Sequence, residues 1–98
     1  MINVADLQSA YIDMYTALRK YIWSYPTVEA IANLEISVYQ LCPDIEVVRR
    51  CFYILNQLVG SIKSEDEDMK KAFDNFSDVM NSSETIYSKL YMVGEVSK

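Results

Sequence analysis

Few side chains in this chain of 98 residues are suited to chemistry, and they are scattered. There is no histidine, which removes the commonest general base, any Ser–His pairing and every His-containing metal site. Cys42 and Cys51 fit no zinc spacing. A helical rise over the nine residues between them sets them roughly 13 Å apart, well beyond the ~7 Å a disulfide can span. Residues 64–71 read SEDEDMKK, acidic but without the spaced ligands and central glycine of a calcium loop. They read instead as a helix start decorated with acids. The sequence has no glycine-rich phosphate loop.

Arg49 and Arg50 could meet a phosphate, but Glu46 stands one helical turn earlier and can neutralise either. Glu35 falls among Val28, Ile31, Val38, Tyr39 and Cys42, where a carboxylate is costly unless it is paired or kept at the solvent edge. Arg49, Arg50 or a tyrosine hydroxyl could satisfy it. With no second carboxylate to work with, its expected role is structural. The chain is therefore expected to be no enzyme and to use neither cofactor nor metal.

Composition narrows the class further. Half the residues are hydrophobic (51%), enough to build a core, and only two Gly and two Pro are available for turns. That balance argues against disorder and against an all-β fold. The formal charge is −5, and the basic residues are dispersed, so nucleic acid is not an expected ligand. The N-terminal residues lack the basic segment of a signal peptide. No run of about eighteen apolar residues is present to span a membrane. Two thiols without a disulfide spacing suit a reducing cytoplasm, bacterial or that of a host.

The elements that must carry these residues are helical nearly end to end. Val4, Leu7, Tyr11, Met14, Leu18, Tyr21 or Ile22, and Tyr25 recur at steps of three and four, one face of an amphipathic helix. Asn3 suits its N-cap, with Asp6 well placed for the dipole, and Pro26 is expected to end it. A second helix is expected over Thr27–Leu41. A third opens with Pro43 and Asp44 in its first turn and runs to about Ile62. Its core set is Ile45, Val48, Phe52, Leu55, Val59 and Ile62, with Val47, Cys51, Ile54 and Leu58 beside it. Ser64 and Glu67 read as a capping box. Beyond them Met69, Phe73, Phe76, Met80, Tyr87 and Leu90 hold one phase to about Val93, or the helix breaks at Asn81–Ser83. The expectation is a single all-α domain over 1–98, an antiparallel bundle of four helices, or five with that break.

The stretch YIDMYTALRKYIWSY, residues 11–25, holds four tyrosines and the only tryptophan. On one continuous helix Tyr11, Tyr15, Tyr21 and Tyr25 lie near Leu18, as core or core-edge rings with hydroxyls reaching outward. Trp23 falls on a second stripe with Ile12, Thr16 and Arg19. The second helix repeats the pattern: Ile31, Leu34, Val38 and Leu41 form one apolar stripe, and Val28, Ala32, Ile36 and Tyr39 another. Glu29, Asn33, Ser37 and Gln40 form its only polar sector. A small bundle encloses no helix completely, so the two extra stripes either wrap into a tight core or meet another protein.

The leading expectation is an acidic helical module that binds a protein partner, or a second copy of itself, through those stripes. One alternative is an inhibitor of the kind mobile elements encode, in which Asp66, Glu67, Asp74 and Asp78 imitate phosphate. Another is a structural homodimer or a subunit of a helical assembly. Last comes a small-molecule site between Met and Tyr side chains in the bundle.

Overall fold

Asn3 starts the first helix: its Oδ1 accepts the Asp6 backbone N–H at 3.2 Å, as an N-cap does. The computed structural model describes the backbone of residues 3–96 and the side chains of residues 3–81. Among these, five helices follow in chain order: α1 Val4–Leu18, α2 Tyr25–Val38, α3 Ile45–Leu58, α4 Gly60–Lys63 and α5 Glu67–Val96. No strand occurs among the described residues, and no helix there is long and apolar enough to cross a membrane. The all-α expectation holds.

The helix boundaries depart from expectation in three places. α1 stops at Leu18, about two turns short of Tyr25. The Tyr21-Ile22-Trp23 run has lower helix propensity than the residues before it, and the Leu18 carbonyl finds other donors. Tyr21 N–H and the Trp23 indole both donate to it, at 3.2 and 2.8 Å. Pro26 therefore closes nothing. It lies in the first turn of α2, where a missing N–H costs nothing. α2 in turn starts two residues early and ends at Val38, which leaves Leu41 outside it and fully exposed.

α3 begins at Ile45 with Asp44 as its cap, the carboxylate accepting Glu46 N–H at 3.0 Å. Pro43 and Asp44 thus precede the helix instead of forming its first turn. It ends at Leu58, and the chain re-forms one turn as α4 from Gly60, a residue that weakens a helix interior by about 1 kcal/mol relative to Ala. This is where the fifth helix originates. α5 runs unbroken through Asn81-Ser82-Ser83 to Val96. Its cap is not the Ser64–Glu67 box. Asp66 Oδ1 accepts Met69 N–H at 3.1 Å, while the Ser64 hydroxyl donates to Ser61 O at 2.8 Å.

α1 packs chiefly on α5, and α2 chiefly on α3, with α1–α2 and α3–α5 contacts closing the bundle. Lys20, just past the end of α1, reaches Asp66 and Asp68 at the start of α5, so these two helices run antiparallel. Leu18, at the end of α1, lines one groove with Val28 and Ile31 in the first half of α2, whereas Tyr11, midway along α1, meets Glu35 and Tyr39 near the end of α2, so this pair does too. The core holds Leu7, Met14, Leu18, Leu34, Val38, Val48, Leu55, Met69, Phe73 and Phe76, each essentially without exposed surface. Burying each of the larger of these contributes about 1.5–3 kcal/mol. Phe52 stacks on Phe76 at 5.0 Å and leans on Phe73 at 5.8 Å, which ties α3 to α5. Met69, Phe73, Phe76 and Met80 share the buried phase expected of them. The side chains of Tyr87 and Leu90, named with them, lie outside the described residues.

Candidate interaction surface

The early end of α1 decides what the candidate surface contains. Residues 19–24 fold back over the end of the helix, and Trp23 half-buries its ring against the core with Tyr21 beside it, centroids 5.5 Å apart. Trp23 therefore does not extend a stripe of Ile12, Thr16 and Arg19 along one helix. Arg19 and Trp23 nonetheless meet again, in an open groove of about 400 Å³ between α1 and α2 lined by Tyr15, Arg19, Ile22, Trp23, Val28 and Ile31. Thr16 leaves the group. It lines the opposite groove, against α5, with Asp13, Lys20, Asp68 and Lys71, and its hydroxyl donates to Ile12 O at 2.8 Å.

The second stripe of α2 is exposed along its length. Val28, Ala32, Ile36 and Tyr39 all face away from the core. With Ile12 and Tyr15 of α1, Ile22 of the connection and Tyr25 at the start of α2, the larger members of this face leave 42–102% of their area uncovered. Ser37, expected in the polar sector, is buried, and its hydroxyl donates to Leu34 O at 2.7 Å. Packing of α3 against that side of α2 removes it from water, and the bond back to its own helix makes the burial affordable.

The tyrosines divide accordingly. Among the described tyrosines Tyr11 alone is buried, at 2% exposure. It stacks on Tyr15 and meets Tyr39 edge-on, at 6.1 and 6.0 Å. Tyr15 and Tyr21 sit at the core edge, while Tyr25 belongs to α2 and is three-quarters exposed. The Tyr11 hydroxyl donates to Glu35 Oε1 at 2.8 Å, so a tyrosine satisfies the carboxylate, one of the partners foreseen. Burial, and then this bond to a carboxylate, raise the Tyr11 phenol well above its ordinary value. Arg49 is bonded to Glu46 at 2.9 Å, and Arg50 stands exposed on α3.

The acidic residues do not form one surface. Asp66 caps α5, accepts the Tyr21 hydroxyl and lies 3.9 Å from Lys20. The Tyr21 bond first, and then the Met69 N–H, hold its carboxyl below the usual range. Glu67, Asp74 and Asp78 are exposed on the outer face of α5. At about 100° per residue Lys71 falls among them and Lys70 beside them. Three acids and two lysines leave that face a net charge of −1, a sparse imitation of a phosphate backbone.

Sequence reasoning missed the part played by Ile22, Tyr25 and Ile31. The signal was present in the aromatic and β-branched run at 21–23 followed by Ser24-Tyr25-Pro26, which combines weak helix propensity with a helix start at proline. Cys42 is exposed, Cys51 is partly buried and both are free thiols. No family model, characterised protein or solved structure matches this chain.

Proposed function

We propose that this protein is a non-catalytic interaction module that engages another protein surface through the face formed by α1, the 19–24 connection and α2. One observation carries the reading: that face is rich in apolar and aromatic side chains that the fold leaves uncovered. Ile12, Tyr15, Ile22, Tyr25, Val28, Ile36 and Tyr39 on it are each at least 42% exposed, and clustered exposed apolar side chains mark interaction surfaces. Its chemistry matches the anatomy of an interface. Trp23 and Tyr15 bring large rings to the groove, Arg19 lines it with them, and these residue types dominate binding energy in most interfaces. The phosphate-mimic reading has less to support it, because Asp66 is engaged within the fold and lysines interrupt the remaining acids.

The test is site-specific photo-crosslinking in cells that express the protein. A crosslinking amino acid is placed singly at Ile22, Val28 or Ile36, and in parallel at Asp74 or Asp78. Strong adducts from the first set and few from the second are expected. Adducts confined to Asp74 and Asp78 would sink the reading and favour the acidic face of α5.

A further inference from the structure

We infer that the occupant of the α1–α2 face is a second copy of this chain, related by a two-fold axis running across α1 and α2 at right angles to them. The inference rests on the reading above, that this face is an interface, and adds the identity of the partner.

Two features of the face support self-association. The first is its size. Ile12, Tyr15, Ile22, Val28, Ile36 and Tyr39 each leave 42% or more of their surface uncovered, and large side chains this exposed supply much of the ~800 Å² that each partner contributes to a standard interface. A second copy covers this area with an equal area of the same kind, as an isologous contact requires.

The second is the arrangement of charge. Along the α1–α2 seam Arg19 and Glu35 stand at opposite ends of the face, while the further acid beside it, Glu29, is engaged by the Tyr25 hydroxyl. Arg19 lines the groove beside Val28 and Ile31, at the start of α2. Glu35 lies near the end of α2, its orientation fixed by the Tyr11 hydroxyl. A two-fold axis across the helices stacks α2 antiparallel on its counterpart and brings opposite ends together. Arg19 then meets Glu35 of the partner subunit, and the symmetry makes that pair twice. Apolar side chains fill the space between, with Ala32 at the centre of α2 leaving room for close approach. An axis parallel to the helices instead stacks like ends, leaving each charge without its counterpart. The proposal therefore fixes a geometry as well as a stoichiometry.

The experiment is molar mass by light scattering over a concentration series reaching about 1 mM, a range that detects even weak association. It is run on the full chain, with helicity checked by circular dichroism. The wild type is expected to approach twice the 11.3 kDa chain mass. Arg19→Glu should shift the dissociation constant upward at least tenfold, and Ile36→Asp should leave a monomer. The reversed pair, Arg19→Glu with Glu35→Arg, should recover most of the association, a result that a merely structural role for either residue does not produce. A wild type that stays at 11.3 kDa throughout overturns the inference. So does a dimer that Ile36→Asp and Arg19→Glu leave intact. Crosslinking from Ile22 separates this failure from that of the interaction reading. Adducts of a mass other than twice the chain, formed by a monomeric protein, overturn the second copy and keep the face. Absence of adducts from the face, with a dimer formed elsewhere, overturns both.

Discussion

Tyr11 and Glu35 are a pair whose two halves live in different environments, and the difference predicts how each responds to substitution. Tyr11 is buried whereas Glu35 lies at the solvent edge of α2. Tyr11→Phe frees a carboxylate that water can solvate, and should cost about 1 kcal/mol. Glu35→Leu strands a buried hydroxyl and should cost more, about 1–3 kcal/mol. The double variant should cost less than the sum in urea unfolding, and strict additivity would argue against the pairing. The raised phenol also sets a pH dependence. Unfolded Tyr11 loses its proton near pH 10, while the native state keeps it, so stability is full below that point and falls as the pH rises through it. Tyr11→Phe should flatten that alkaline decline, measured as unfolding midpoint against pH. From the sequence alone Glu35 was identifiable as needing a partner, because its neighbours are apolar. Which tyrosine would supply it was not, since Tyr11, Tyr15, Tyr21 and Tyr25 look alike until the end of α1 separates them.

Helix boundaries respond to local bonds that hydrophobic periodicity does not register. The Asn3 cap and the amphipathic body of α3 were legible because each rests on one helix and its own residues. The end of α1 was not, because it depends on an indole five residues ahead turning back to the Leu18 carbonyl. Likewise Ser64 and Glu67 had the spacing of a capping box, yet Asp66 has the shorter reach to the free N–H groups and also gains the Tyr21 hydroxyl. Asp66→Ala should therefore lower the thermal midpoint, whereas Ser64→Ala should leave it nearly unchanged. Equal losses would restore the box. At the α3–α4 break, a methyl group on Gly60 would meet nothing within 4 Å, and the glycine's φ is not positive. Gly60→Ala should stabilise the protein by about 0.4–1 kcal/mol through the unfolded state. A loss of stability on chemical denaturation would show that the break needs glycine for a reason beyond backbone freedom.

At the scale of the whole molecule, four main helices supply one core and cannot also cover the outer side of α2. That much follows from the second apolar stripe in the sequence, and Val28, Ala32, Ile36 and Tyr39 are indeed uncovered. What the sequence could not reveal is that the 19–24 connection folds back to widen the same face, because a linear pattern has no way to mark a reversal of direction. The core itself has little to spare. Phe76→Ala removes the ring on which Phe52 stacks and should cost about 3–5 kcal/mol, a large share of the 5–15 kcal/mol that holds a typical domain together. Retention of a sharp, scarcely shifted melting transition would mean that α3 does not depend on α5. The indole that closes α1 has one more consequence. It is the chain's only tryptophan, it stands at the edge of the uncovered face, and Tyr21 lies 5.5 Å away. Light absorbed by the tyrosines will pass to this one emitter, so the colour and intensity of its fluorescence report on the docking face without any added label.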